Sequence, residues 1–279
     1  MHKVDISVLR AVPETLLIPL AARMIAAERH PDLGFHDSEA CRIGKEIGFD
    51  PVRFSDDAGS MRGAVARALW FDRVVSAFIG ANPDGLCVSI GSGLDDRPAR
   101  IGLPTNGIDW FDVEFPEVAR LRTALIAPRA NVQCLVVDNG DPDGWLGSLS
   151  WWNGRRTLVL AEGVLMYFAP VDGERFLRRL VEAARTRSAS LDLVADFATP
   201  IMVRNSHRHP SVRQTGARFA WAVARPQDVT AIAPGLALIE EADIARRAGL
   251  MTRVVSWLFR FITGRPAYFA AHYRLSLGR

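Results

Sequence analysis

The chain has 279 residues, and its 34 lysines and arginines against 31 aspartates and glutamates give a formal net charge of +3. Hydrophobic residues make up 49% and charged residues 23% of the chain, which excludes wholesale disorder and a fibrous repeat. The densest basic cluster, Arg204–Arg213, is short and mixed with histidine, proline and serine, unlike the basic stripe that tracks nucleic-acid phosphates. We therefore expect no nucleic-acid partner.

The cysteine pattern bears on the compartment. Cys41, Cys87 and Cys134 are odd in number and form no CxxC pair, and the last two lie in apolar runs that predict buried strands. This pattern favours reduced structural thiols over a disulfide framework or a zinc site, so we expect no metal. The start of the sequence lacks the apolar core of a signal peptide, and the longest apolar stretch, Leu16–Ala27, is too short to span a bilayer. We expect a soluble cytoplasmic protein without a membrane partner.

The predicted elements change character near residue 82. Apolar residues recur at helical spacing over Leu16–Ala27 and Val65–Phe78, on either side of the polar, turn-rich stretch His30–Gly59, which predicts a helical N-terminal cap over residues 1–82 in the same domain as the rest. Beyond it, apolar runs of strand length alternate with longer segments. The predicted strands are Leu86–Ile90, Ile108–Val113, Val132–Val137, Thr157–Ala161, Leu191–Ala195 and Tyr268–Leu277, and the predicted helices Pro116–Ile126, Val171–Ala184 and Pro226–Ile232.

Near-continuous apolar strands at this spacing are typical of a parallel sheet covered by helices on both faces. The sequence therefore predicts an α/β, Rossmann-like fold with a mostly parallel, doubly wound sheet in residues 83–279. The polar stretch Thr199–Thr215 predicts a mobile loop or lid, and we place the lid insertion around residues 199–225.

Ligands of open parallel sheets bind beyond the carboxyl ends of the strands. Gly91, Ser92 and Gly93 follow the first strand and allow a tight turn, but Asp96 stands where a dinucleotide fingerprint needs a third glycine. An acid there would repel a pyrophosphate, which disfavours NAD and FAD.

Three further strands also end in polar residues. Glu114 lies 23 residues after Gly91, a spacing at which an acid accepts hydrogen bonds from ribose hydroxyls, while Asp138-Asn139 and Glu162-Gly163 follow the next two strands. Acids are also common at strand ends merely as helix caps. An acid-rich pocket without a third glycine fits a nucleoside that lacks phosphates and carries positive charge, such as S-adenosylmethionine.

The sequence also resembles the leucine carboxyl methyltransferase family, within it the bacterial branch of tetracenomycin-type polyketide O-methyltransferases. The resemblance covers nearly the whole chain in five ordered motifs. These are residues 14–20 (ETLLIPL), Arg67 with Phe71-Asp72, the loop 91–97 (GSGLDDR), residues 110–118 (WFDVEFPEV) and residues 162–168 (EGVLMYF).

The resemblance implies a class I methyltransferase that uses S-adenosylmethionine, and it implies roles for particular residues. Arg67 matches the arginine that pairs with the methionine carboxylate, a task suited to a guanidinium. Glu114 matches the ribose ligand and Glu162 the acid near the cofactor's amino group. The remaining cofactor-binding positions are Gly91, Ser92, Gly93 and Asp95 in the loop, and Asp138 and Asn139 near the adenine.

The sequence departs from the family at two places. Asp96 replaces a threonine and is expected to add negative charge near the site. The N-terminal region is shorter than that of the eukaryotic protein-modifying members, which favours a small metabolite as the methyl acceptor over a phosphatase terminus.

The implied reaction is in-line displacement at the sulfonium methyl, with transfer to a carboxylate or hydroxyl oxygen in natural-product biosynthesis. A carboxylate acceptor needs no base, whereas a phenol or alcohol does. Tyr167, His207 and His209 are the catalytic candidates, although a solvated loop accounts for both histidines and packing accounts for the tyrosine.

Later aromatic residues have two interpretations. Phe219, Trp221, Trp257, Phe259 and Phe261 could line an acceptor pocket, but Val254, Trp257 and Phe261 share helical spacing and more simply predict a core-facing stripe. Two alternative functions also stay open, namely a nicotinamide oxidoreductase and a protein that binds S-adenosylmethionine without transferring its methyl group.

Overall fold

The computed structural model describes residues 14–54, 57–137, 145–146, 154–187, 189–208 and 210–275. Its strands are β1 (Leu86–Ile90), β2 (Asp109–Glu114), β3 (Val132–Val136), β4 (Thr157–Ala161), β5 (Leu191–Ala198), β6 (Leu236–Asp243) and β7 (Tyr268–Leu275). They form one seven-stranded sheet in the order β3-β2-β1-β4-β5-β7-β6.

The sheet is parallel except for β7. Strands β1 to β5 pair in parallel, and β7 runs antiparallel to both β5 and β6. Every residue of β1, β4 and β5 is buried, because helices cover both faces of these central strands. The expected doubly wound α/β fold is confirmed, and the change of strand order between β1 and β4 sets the switch point where ligands bind.

Eleven helices can be traced among the described residues, together with several short 3-10 turns. They are α1 (Leu17–Arg29), α2 (Ser38–Glu46), α3 (Ala58–Ala81), α4 (Arg97–Arg100), α5 (Pro116–Leu125), α6 (Pro170–Thr186), α7 (Pro200–Asn205), α8 (Pro210–Gln214), α9 (Pro226–Ile232), α10 (Ile244–Arg247) and α11 (Leu250–Thr263). None of them is long and apolar enough to cross a membrane.

The helices pack in layers. On one face of the sheet, α6 and α9 contribute to a core with Phe176, Leu180 and Val229, and on the other face α3 buries Trp70 and Phe71. Helices α1 and α2 form a further cluster with α3 and α5, so the N-terminal helices pack on helices that flank the sheet.

Two expectations about β-structure were wrong. Strand β6 was not expected. It is an edge strand with several exposed and half-buried residues, so its sequence LALIEEAD lacks the continuous apolar run of a buried strand. Cys134 was expected in a buried strand, but β3 forms the opposite edge of the sheet and leaves Cys134 exposed.

Helix α11 reverses the expected orientation. Val254, Trp257 and Phe261 are 58%, 55% and 77% exposed, so they form neither a core-facing stripe nor the wall of an acceptor pocket. The fully buried position of the helix is polar: Ser256 donates a hydrogen bond to Asp243 Oδ2 at 2.5 Å.

The stretch expected to be a loop or lid contains short helices. Between α7 and α8 lies a 3-10 turn, Ser206–Arg208. Ser211 of α8 is buried and donates from Oγ to Asp57 Oδ2 at 2.7 Å, and Asp57 is the N-cap of α3. The lid is therefore tied to the longest N-terminal helix.

Packing of Trp221 gives the first prediction. A Cβ atom added to Gly173 of α6 would lie 2.2 Å from the Trp221 ring, whereas one added to Gly63 of α3 meets nothing within 4 Å. We expect Gly173→Ala to lower the free energy of unfolding by about 1–3 kcal/mol and Gly63→Ala to raise it by about 0.5–1 kcal/mol. Urea unfolding measures both, and equal stability of the two variants would contradict this packing.

Candidate functional site

The glycine loop after β1 makes a tight turn beside the switch point. Gly91 and Gly93 adopt left-handed φ angles of 62° and 57°. A Cβ at Gly91 would lie 2.7 Å from Val164 Cγ2, so only glycine fits there without displacing its neighbour. Ser92 Oγ fixes the loop by donating to Asp112 Oδ1 at 2.6 Å.

Glu114 closes the loop from the end of β2. It is 3% exposed, and its Oε1 accepts a hydrogen bond from the Gly93 amide at 2.6 Å. Burial raises the pKa of Glu114 to about 8, although Arg122 opposes the rise. The side chain therefore carries a proton at neutral pH and can hydrogen-bond hydroxyl groups of a ligand.

A second cluster lies across the switch point around Arg67 of α3. Arg67 donates from Nε to Glu162 Oε1 at 3.0 Å and from Nη1 to Asp196 Oδ2 at 3.2 Å and the Tyr268 hydroxyl at 2.8 Å. A Cβ at Gly163 would lie 3.0 Å from Arg67 Nη2, so glycine lets the guanidinium pass close to the backbone. Asp196 and Tyr268 were not among the predicted site residues. An acid inside the apolar run of β5 was the available signal for Asp196.

Two more arginines continue this cluster. Arg97 donates to Glu162 and, from Nε at 2.8 Å, to Asp72 Oδ1, while Arg100 binds Asp72 through both Nε and Nη2. Asp95 forms an ion pair with Arg97 at 3.3 Å and accepts a hydrogen bond from Arg100 Nη2 at 3.2 Å. Burial disfavours its charge, but Arg100, Arg23 and Arg97 hold the pKa of Asp95 well below its ordinary value.

Asp96 does not act as the sequence suggested. Its carboxylate accepts the Ala99 amide at 3.3 Å as the N-cap of α4, and it receives Arg129 Nη1 at 2.9 Å. The expectation of added negative charge near the site was wrong because Arg129 offsets it.

The catalytic candidates occupy different environments. Tyr167 packs edge-on against Phe219, with ring centroids 5.4 Å apart, and burial raises its pKa to about 12. Met166, Val212 and Phe219 form the buried centre of the lid cluster, and Tyr167 packs against them. His207 is exposed. His209, Asp138 and Asn139 lie outside the described residues.

Phe219 and Trp221, which follow the predicted loop Thr199–Thr215, lie in different clusters. Phe219 is buried in the lid cluster beside Tyr167, whereas Trp221 packs edge-on against Phe197 in the main core, with centroids 6.0 Å apart. The expectation that Trp221 lines an acceptor pocket was wrong, because Gly173 of α6 leaves space that its ring fills.

Even with Glu114 protonated, carboxylates outnumber arginines by six to five in the connected network that the structure describes at this site. Among the described residues the connected groups are Arg23, Arg67, Arg97, Arg100 and Arg122 with Asp37, Asp72, Asp95, Asp112, Glu114, Glu162 and Asp196. A buried excess of acid is stabilised by a ligand that brings positive charge.

The family model for leucine carboxyl methyltransferases matches residues 14–181, more than half of the chain. The chain belongs to this family. It is 30% identical over 233 residues to the tetracenomycin polyketide synthesis O-methyltransferase of Streptomyces glaucescens, an alignment that covers 84% of this chain and 83% of that one.

Two further comparisons agree. An S-adenosylmethionine-dependent methyltransferase of Gibberella zeae is 26% identical over 272 residues, covering 89% of this chain and 91% of the relative. A solved structure from Thermobifida fusca, described as a methyltransferase, shares the fold with a TM-score of 0.57 at 16% identity, covering 92% of this chain and 94% of that one.

The protein is an S-adenosylmethionine-dependent methyltransferase, and the chemistry of its strand ends fits that cofactor. The sulfonium and ammonium groups of this cofactor are positively charged, which is the charge that a buried excess of acid favours. The glycine loop and Glu114 offer a close backbone and a hydroxyl partner on the neighbouring strands.

The raised pKa of Glu114 makes stability of the unliganded methyltransferase pH-dependent. Between the ordinary glutamate pKa of 4.5 and the folded value of about 8, the folded chain binds a proton that the unfolded chain has lost. This contribution is complete below pH 4.5 and is lost as the pH rises to about 8. We expect Glu114→Gln to match the parent at pH 5 and to exceed its free energy of unfolding by about 2–4 kcal/mol at pH 8.

Urea unfolding at the two pH values measures this difference, and Glu117→Gln on the adjoining helix is the control. A stability gain of equal size at pH 5 and pH 8 would show that Glu114 is ionised in the folded chain.

Proposed function

We propose that the chain transfers the methyl group of S-adenosylmethionine to a carboxylate or hydroxyl oxygen of a small molecule, in the biosynthesis of a polyketide or another natural product. The carrying observation is the acid-rich switch-point site in a chain related over most of its length to a polyketide O-methyltransferase. The reaction would take place in the cytoplasm, in line with the cysteine pattern.

Each part of S-adenosylmethionine has a proposed binding residue. Arg67 Nη2 donates to no atom of the described residues and would bind the cofactor's carboxylate, while Glu162 would accept from its amino group. Gly91, Ser92 and Gly93 would lie beneath the methionine portion and Glu114 would bind the ribose hydroxyls. Asp138 and Asn139, outside the described residues, keep their predicted place near the adenine.

Asp95 has a positioning role in this scheme. Its carboxylate is engaged by Arg97 and Arg100, which also hold Asp72 and, through Arg97, Glu162. Loss of Asp95 would leave those guanidinium groups less restrained, so Asp95, predicted as a cofactor-binding residue, would also orient Glu162.

The cofactor supplies a methyl group already activated for transfer, so the protein's task is alignment and exclusion of water. The lid cluster around Met166, Val212 and Phe219 lies beside Tyr167 and Tyr268, which border the Arg67 cluster. This apolar cover would seal the acceptor side of the site. Tyr167 would donate a hydrogen bond that orients the acceptor.

The two tyrosines beside the lid cluster favour an acceptor that arrives as an anion. Burial holds the pKa of Tyr167 at about 12 and that of Tyr268 well above its ordinary value, so neither hydroxyl is a base at neutral pH. The lid also presents exposed Arg204 and Arg213 toward solvent, which would attract an anion. A carboxylate or an acidic phenol meets this requirement. His207 and His209 remain predictions as base or substrate contact.

The cofactor assignment is tested by calorimetric titration with S-adenosylmethionine, its demethylated product and NADH. We expect both sulfur ligands to bind, NADH not to bind, and Glu114→Ala and Arg67→Lys each to weaken S-adenosylmethionine about 10- to 100-fold through lost hydrogen bonds. Glu117→Ala and Arg120→Lys, exposed on α5, are the matched controls. Unchanged affinity in both site variants would refute the assigned roles.

The acceptor chemistry is tested with aromatic acids and phenols of graded pKa, scored by mass gain of one methyl group. If the acceptor enters as an anion, kcat/KM rises with pH in proportion to the ionised fraction of the acceptor. The inflection then lies at the acceptor's own pKa, and the plateau lies above it. Tyr167→Phe should raise the acceptor KM without moving that inflection. An inflection common to all acceptors would instead reveal a base on the protein, and methyl transfer to none of them would favour a protein that only binds the cofactor.

A further inference from the structure

Helix α11 turns its apolar side away from the protein. Eight large apolar residues of this helix are between 50% and 81% exposed. They are Leu250, Met251, Val254, Val255, Trp257, Leu258, Phe261 and Ile262, which we call the α11 apolar face. The opposite side packs on the protein through a polar residue, since Ser256 is 1% exposed and bonded to Asp243. A contiguous apolar surface of this size marks an interaction site.

The segment that carries this face is also the basic part of the chain. Seven of the 34 basic residues and none of the 31 acidic residues lie in residues 244–279. The remainder of the chain therefore holds 27 basic against 31 acidic residues, so the positive net charge comes entirely from this segment. Such charge asymmetry is typical of a protein that meets an anionic surface.

Exposed arginines flank the apolar face. Arg246 and Arg247 precede it on α10, Arg253 lies on α11 and Arg265 follows it. The acids that lie near the helix are already engaged. Glu241 pairs with Arg260 at 2.6 Å, Asp243 accepts from Ser256, and Asp32 pairs with Arg62, which also contacts the residue before Gly249.

This charge distribution disfavours a second copy of the chain as the occupant. A two-fold dimer through the face would bring the same arginines of both copies together, and like charges across an interface oppose association. The described residues around the face offer no unengaged acid to pair with them. An anionic bilayer surface complements both features, because a helix with Trp, Phe and Leu on one side and arginines beside them binds in the headgroup region.

We propose that the α11 apolar face and its flanking arginines dock the protein onto an anionic lipid surface. This departs from the sequence expectation of no membrane partner and involves no membrane-spanning segment. Helix α11 lies in the chain between the carboxyl end of β6 and Tyr268, and Tyr268 contacts Arg67 of the site. Docking would therefore also hold the side of the site that Tyr268 borders near the lipid. The docking itself does not depend on the proposed reaction.

The test is co-sedimentation of the full chain with vesicles of phosphatidylcholine alone or of phosphatidylcholine mixed with phosphatidylglycerol. We expect at least about tenfold stronger binding to the anionic vesicles, reduced by added salt. Met251→Ser with Phe261→Ser, and separately Arg246→Gln with Arg247→Gln, should each weaken it, with roughly a fivefold loss per arginine.

Matched controls lie elsewhere on the surface. Val171→Ser removes an apolar side chain that is 69% exposed on α6, and Arg120→Gln removes an exposed arginine of α5, and neither should alter vesicle binding. Affinity for S-adenosylmethionine, measured on the same variants, separates loss of docking from loss of folding and from failure of the cofactor assignment.

Three results would overturn the proposal. The first is equal binding, or none, to anionic and neutral vesicles by the folded parent chain. The second is anionic binding that survives both in the Met251→Ser, Phe261→Ser variant and in the Arg246→Gln, Arg247→Gln variant. The third is a dimer in light scattering that Met251→Ser with Phe261→Ser dissociates while vesicle binding is absent, which would assign the face to a second copy.

Discussion

Glu162 accepts from two arginines at once, and this shared carboxylate joins the N-terminal helices to the sheet. Arg67 reaches it from α3 and Arg97 from the loop after β1. Such buried ion pairs add little net stability over apolar packing, but removing one partner leaves an uncompensated charge and costs about 3–5 kcal/mol. The N-terminal helices are therefore fixed relative to the strand ends, and a site built from both keeps one geometry.

Equal burial has opposite consequences for two acids in this network. Asp95 lies among Arg23, Arg97 and Arg100, which hold its pKa well below the ordinary value despite burial. Among the described residues the arginine that acts on Glu114 is Arg122, which also pairs with Asp112, so burial dominates and the pKa of Glu114 rises to about 8. The number of arginines around a buried acid thus decides here whether it is a fixed anion, as Asp95 is with three, or a neutral hydrogen-bonding group, as Glu114 is with one.

Much of the fold could be predicted because buried parallel strands leave near-continuous apolar runs, as in Leu86–Ile90 and Thr157–Ala161, whose bounds the structure reproduces. Side-chain partners that depend on strand order could not. Tyr268 meets Asp196 across 72 residues only because β7 inserts antiparallel beside β5. Helical periodicity likewise identified the stripe on α11, but periodicity does not say which side of a helix the protein covers.

Helix α3 connects the cofactor side of the site to the lid. It carries Arg67, which pairs with Glu162 and Asp196. Its N-cap residue Asp57 accepts a hydrogen bond through Oδ2 from Ser211 Oγ of the lid at 2.7 Å. A single helix is stiff along its axis, since each backbone carbonyl is bonded one turn away. The lid and the arginine cluster are thus anchored to the same helix, which fixes the apolar cover of the acceptor side relative to the strand-end charges.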